Sequence, residues 1–282
     1  GLTVLLVRRK KSFVLALAPL AVPLFVLCSV CSAQAEESYT AFNTPRFTLF
    51  ITHAPEGNGN QQQVHTSEMA NSAISILNET YEEYTRIFRT EPTKKVVLRF
   101  LSPADFRRRT GAPAWTSAMY FRDEISIPVS SERGLREDDL RRALRHEYVH
   151  SIVAELSNFR GPAWLDEGVA QLLEGRPNPL LGPALRDWVK LNPAIPLEWL
   201  HNGFTTLDPA IVPAAYAQSL FAVRKLVRTS GFPAVTAYLT ALGRGINAEQ
   251  AFADAFGLKQ EAFEDQLTRE MRRWAQSGQT HP

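Results

Sequence analysis

Along the first half of the chain apolar residues alternate over short stretches, and along the second half they recur every three or four positions. Residues 36–43 follow neither period and read as a loose leader. Residues 46–53 (RFTLFITH) alternate in part and are rich in β-formers, which predicts a first strand. Gly57-Asn58-Gly59-Asn60 and the three glutamines after it predict a polar loop. A helix is expected over 66–88, with Met69, Ala73, Ile76, Leu77, Tyr81, Tyr84 and Phe88 along one side. Residues 95–101 predict a second strand, and 102–109 a short basic helix whose Arg107, Arg108 and Arg109 form a solvated face. Strand, helix and strand in that order suggest a crossover unit that lays a small sheet beneath a helix. Residues 115–121 lead into a turn at Arg122-Asp123 and a strand over 124–129, in which Ile125, Ile127 and Val129 alternate. Pro128 has no N–H for a ladder, so this is expected to be an edge strand or a strand end. An edge strand beside the helix that follows would offer an extended peptide a place to add.

From residue 135 the period is helical. Over 135–156, Leu140, Leu144, Ile152, Val153 and Leu156 keep helical spacing, and Glu137, Asp138 and Asp139 place negative charge in the first turn. A break at Phe159-Arg160-Gly161-Pro162 precedes a helix over 163–174. Seven prolines in 175–213 predict irregular chain around a short helix at 185–191. Helices are then expected over 214–229, closed by Gly231, and over 233–242. Asn247 with Gln250 reads as a capping pair for a third, closed by Gly257, and the last spans 260–274. The pattern is that of an α+β protein, a small mixed sheet with helices followed by a mainly helical C-terminal lobe. Residues 36–134 and 135–282 are read as two lobes of one catalytic domain, without internal repeats or low-complexity runs.

The first 35 residues are a different kind of sequence. Arg8, Arg9, Lys10 and Lys11 precede an apolar run from Phe13 to Val30, and Ala33-Gln34-Ala35 follows, the layout of a signal peptide cleaved after Ala35. An uncleaved membrane anchor is the alternative, against which Pro19 and Pro23 in the run argue. Both cysteines, Cys28 and Cys31, would leave with the signal, so a metal site in the mature protein must use His, Asp and Glu. With the four basic residues gone, 27 basic stand against 29 acidic, turning the formal net charge from +2 to −2. That balance argues against non-specific binding to nucleic acid or to an anionic membrane. The expected location is periplasmic or extracellular.

One pentapeptide carries chemistry: His146-Glu147-Tyr148-Val149-His150. On a helix its two histidines are four residues apart on one face and are able to hold one Zn²⁺, while Glu147 reaches a metal-bound water. Such a spacing also arises by chance, as a surface helix with a histidine pair. The next helix offers Glu167, and two histidines with one glutamate make a known set for catalytic zinc, which keeps a fourth position for water.

His146-Glu-Tyr-Val-His150, followed by Pro162-Ala-Trp-Leu-Asp-Glu167-Gly-Val-Ala, resembles the gluzincin branch of zinc metallopeptidases, and in it the bacterial peptidase-MA-like domains related to the M1 aminopeptidase catalytic domain. The resemblance runs over roughly 115–275, through Ala215-Tyr-Ala-Gln-Ser219 and on to Trp274. It implies a zincin-like fold, with His146, His150 and Glu167 as zinc ligands and Glu147 as general base. Zinc would lower the pKa of its water toward ~7, and Glu147 would take the proton and pass it to the leaving amine. Tyr216 is the candidate donor to the developing oxyanion, as M1-type gluzincins use a tyrosine downstream of the glutamate ligand; packing on its own helix is the other reading. His201 is an outside candidate, and His53, His65 and His281 are read as surface residues. Where many gluzincins carry a carboxylate that orients a zinc histidine, the position four after the glutamate is Gln171; Asp166 is read as structural or orienting. No Gly-x-Met-Glu-Asn-type motif is present, so endopeptidase action is the default. The expected function is zinc-dependent hydrolysis of peptide bonds in a peptide or protein substrate, the oligomeric state being left open. The alternatives are an amidase acting on cell-wall peptide and a catalytically silent, zinc-stabilised binding module of the envelope.

Overall fold

A computed structural model describes residues 39–52, 59–112, 116–130, 135–176, 178–204 and 207–278, with backbone alone for 59–65. The segment 1–35 with its cysteines, and Trp115, His53, His281 and the His65 side chain, lie outside the described residues.

Alternation builds the sheet. Strand β2 (Phe47–Thr52) turns Phe47, Leu49 and Ile51 into the core, and β3 (Val96–Leu101) does the same with Val96, Leu98 and Phe100. Between them runs α1 (Gly59–Phe88), so β2 and β3 pair in parallel across the expected crossover. A short helix α2 (Pro103–Thr110), capped by Ser102 Oγ, leads on to the hairpin of β4 (Met119–Phe121) and β5 (Glu124–Pro128). Arg122 and Asp123 form its two-residue turn, both at positive φ (50° and 63°) as a primed turn requires. Together with β1 (Tyr39–Asn43), the strands make a five-stranded mixed sheet in the order β1-β2-β3-β5-β4.

Three expectations need correction, and one open alternative is decided. Residues 39–43 are not a loose leader: they pair antiparallel with β2, an interaction supplied by the neighbour and invisible in a short, half-exposed run. The loop expected at the glutamines is helical from Gly59, since glutamine is a good helix former once a helix is under way. Of the two readings offered for the strand that carries Pro128, the strand end holds: it lies between β3 and β4 with its proline last, and β4 is the sheet edge on that side. Arg109 is not simply solvated, because its Nε meets Glu124 Oε1 at 2.9 Å.

The helical part follows the sequence closely. It comprises α3 (Glu137–Ser157), α4 (Ala163–Leu173), α5 (Leu181–Leu191), α6 (Val212–Ser230), α7 (Phe232–Gly243), α8 (Ala248–Phe256) and α9 (Gln260–Gln276). The central helix is α3, which packs against α1, α4, α7 and the β4–β5 hairpin. Its middle, from His146 to Ala154, is therefore buried on every side. Tyr148 turns away from the histidines, edge-on to Phe47 at 5.7 Å and stacked on Tyr84 at 6.3 Å. Asn158 and Phe159 adopt left-handed backbone (φ 49° and 60°), ending α3 and reversing the chain into α4. No helix among the described residues is long and apolar enough to cross a membrane.

Candidate metal centre

Helix α4 returns antiparallel along α3, as the hydrogen bonds between them show: His146 meets Glu174 just past the end of α4, and His150, one turn later, meets Asp166 in its first turn. Glu167 thereby faces both histidines. One ligand atom each from His146, His150 and Glu167 lies within 4.8 Å of the others, close enough for a single ion to touch all three. All three residues are buried, and Glu147 beside them is 0% exposed.

The pattern of satisfied and unsatisfied atoms is the informative part. Each histidine donates Nδ1–H to a carboxylate at 2.7 Å, His146 to Glu174 Oε2 and His150 to Asp166 Oδ1. Carboxylates accept and do not donate, so these bonds turn the Nε2 atoms toward the shared cavity. There His146 Nε2, His150 Nε2, Glu167 Oε2 and Glu147 Oε1 are all buried without a hydrogen-bond partner. His146 Nε2 stands 3.6 Å from Glu167 Oε2, beyond hydrogen-bond length. Each buried polar atom left unpaired costs about 1–3 kcal/mol, and four at one point is an arrangement that a divalent cation and its water resolve. The donor set, two imidazoles and one carboxylate, is one that zinc takes.

Glu147 is held from the sheet. Its Oε2 accepts the Tyr120 backbone N–H at 2.7 Å, so edge strand β4 orients the carboxylate and leaves Oε1 toward the histidines. The Tyr120 ring also lies over His150, centroids 6.4 Å apart. Burial raises the Glu147 pKa, and the Glu167 carboxylate adds to that, against the pull of the two histidines and the Tyr120 N–H. Burial pulls both histidines down, but their carboxylates outweigh it: His146 is raised well above its ordinary value by Glu167 and Glu174, and His150 to about 9 by Asp166.

Tyr216 comes to the site through a glycine. A Cβ on Gly168 would stand 2.4 Å from the Ser219 carbonyl oxygen on α6, so only glycine lets α4 and α6 meet one residue after Glu167. Tyr216, a turn earlier on α6, is buried edge-on to Phe204 at 4.6 Å. Burial, then the negative charges of Glu167 and Glu147, push its phenol well above the usual range, so it stays an O–H donor. Gln171 does not reach a histidine; its Nε2 donates to the backbone carbonyls of Glu167 and Tyr216 and ties α4 to α6. His201 contributes its backbone carbonyl to Ala163 N–H at the start of α4.

Glu174, Arg142 and the Tyr120 N–H were not singled out from the sequence. Glu174 had a legible signal, because it lies seven residues after Glu167 and so two turns on along one face. Asp166 turns out to be an orienting group for His150 although it neighbours Glu167.

Residues 112–273 match the sequence profile of the Peptidase MA superfamily. The chain belongs to that superfamily. A search of curated proteins returns no match. Among solved structures it is similar to a mutant of an M1 zinc metallopeptidase from Deinococcus radiodurans, at 11% identity and a TM-score of 0.38, over 87% of this chain and 53% of that one. It is likewise similar to a mutant of a two-domain M1 zinc metallopeptidase bound to L-arginine, at 12% identity and a TM-score of 0.39, over 87% and 52%. The chain thus spans about half the length of these proteins. As a Peptidase MA member it has a gluzincin-like, α+β peptidase fold, with a buried His-His-Glu group that fits zinc.

Proposed function

We propose that the protein is a zinc-dependent peptidase, with His146, His150 and Glu167 as metal ligands and Glu147 as general base, acting on peptides or proteins outside the cytoplasm. The observation that carries this reading is the group of four buried, partnerless polar atoms at the meeting of α3 and α4. When bound there, zinc supplies Lewis acidity, polarising the scissile carbonyl and bringing the pKa of a coordinated water near ~7.

The chain's own residues do the rest. Glu147 takes the proton of the attacking water at Oε1, since Oε2 is occupied by the Tyr120 N–H. Its raised pKa favours holding that proton until it passes to the leaving amine. Tyr216 keeps its O–H and serves as the donor to the carbonyl oxygen as charge builds there. Edge strand β4 lies beside α3, so an extended peptide that adds to it would pass Glu147.

The test is digestion of a mixed peptide library by zinc-loaded protein, residues 36–282, beside its Glu147→Gln variant. Cleavage by the parent and a loss of about 10²–10⁴ in the variant, the range for a general base, is the expected result. Silence from both with zinc bound would overturn the peptidase reading in favour of a zinc-stabilised binding module. Secretion is tested separately, by fractionating cells that express the whole chain.

A further inference from the structure

The two carboxylates that brace the zinc histidines sit at opposite ends of α4, and the helix treats them oppositely. Asp166 lies in the first turn, where unpaired backbone N–H groups favour a negative charge. Glu174 is the residue that closes the helix, where the carbonyl ends disfavour one, and it is only 5% exposed. A buried carboxylate at a helix C-terminus calls for a cation, and Arg142 provides it. Arg142 lies one turn before His146 on α3, and its Nη2 meets Glu174 Oε1 at 2.8 Å while Glu174 Oε2 holds His146 Nδ1 at 2.7 Å. The same helix end is pinned through the Leu173 carbonyl, which accepts from Tyr84 Oη and Arg145 Nε, each at 2.9 Å. Asp166 has His150 as its one ion-pair partner among the described residues.

We propose that Arg142 is a positioning residue for the metal centre: it holds Glu174 against its own helix end so that the carboxylate aims His146 Nε2 at the ion. The inference rests on the zinc reading above, and it makes the two histidine arms unequal. The His146 arm depends on a cation three links from the metal, and the His150 arm does not.

Zinc affinity of the full chain, measured by competition with a chromophoric chelator, tests this without any assay of cleavage. Arg142→Met is expected to weaken zinc binding about tenfold, at the lower end of the range for groups behind a ligand. The melting temperature of the metal-free variant should fall, because Glu174 stays buried with His146 as its remaining ion-pair partner among the described residues, so affinity is compared at a temperature where both proteins are folded. Arg142→Lys should recover most of the affinity. In a Glu174→Gln background the Arg142→Met change should have no further weakening effect, whereas Asp166→Asn should weaken binding equally with or without Arg142. Parent-like affinity in Arg142→Met, or the same loss with Gln at 174, overturns the proposal while leaving the zinc reading intact. A parent that binds no zinc overturns both. If Arg142→Met fails to fold, Arg142→Gln, which keeps the stem and removes the charge, takes its place, with parent-like zinc affinity again the overturning outcome.

Discussion

Glu147 and Tyr148 are adjacent on α3 and equally deep in the protein, yet they face opposite surroundings. Tyr148 points to Phe47, Tyr84 and the sheet core, and its neighbours Val149, Ile152 and Val153 join the same packed cluster. Glu147 points the other way, to a place where four polar atoms are buried without partners. One face of the helix contributes apolar burial, and the other carries a desolvation cost that a bound metal would relieve. The difference teaches that a core helix is able to host a reactive face when its remaining sides are packed well enough to hold it in place. It also implies that damage to the two faces reads out differently, as lost stability on one and lost chemistry on the other.

The largest effect is expected on the packed face. Tyr148→Ala should destabilise the protein by about 3–5 kcal/mol, the cost of deleting a buried aromatic ring, measured by chemical denaturation with zinc absent. If zinc uptake by the remaining folded fraction were also lost, the separation of the two faces would fail. On the reactive side, Tyr216→Phe should slow peptide cleavage by about 10²–10³, the worth of one oxyanion donor, with zinc content and melting temperature unchanged. A fall in melting temperature without a fall in kcat would return Tyr216 to a packing role. Gly168→Ala touches the join between the faces, since the added methyl meets the Ser219 carbonyl. It should cost about 1–3 kcal/mol and also reduce kcat, because α6 must shift and carry Tyr216 with it.

The smallest effect is one of direction with pH. In the metal-free protein His146 and His150 have folded pKa values raised from an ordinary 6.5, that of His150 to about 9. The contribution of His150 to stability is then complete below about pH 6.5 and is lost as pH rises through about 9, and that of His146 changes in the same direction. Melting temperature without metal should fall across that window. With zinc the trend should reverse, because a ligand nitrogen binds metal only when deprotonated. Parallel curves with and without zinc would mean that the ion binds somewhere other than at these histidines.

Helix-forming segments of the second half were legible because their apolar residues recur within one stretch of chain, and α3, α4, α6 and α9 lie within a few residues of where the period puts them. His146 and His150 were legible for the same reason, since spacing on a helix places side chains on a face before any tertiary contact exists; Glu167 was named from its motif and meets them only because α4 returns along α3. The sheet was harder. Strand β1 is a strand because β2 is beside it, and β4 is an edge because β5 takes the place next to β3. Neither fact is local to the residues concerned.

What the amino-acid sequence determined by itself is the His-Glu-x-x-His helix, the glutamate on the following helix and the α+β order of elements. All are short-range properties of composition and period. The tertiary structure alone decided which groups stand behind the histidines. Asp166 and Glu174 reach them because α4 runs antiparallel to α3, Tyr120 reaches Glu147 because a sheet edge passes that helix, and Arg142 reaches Glu174 across the same helix pair. Hydrogen bonds act over about 3 Å, so their partners are set by how distant segments pack, and that arrangement is a property of the whole core.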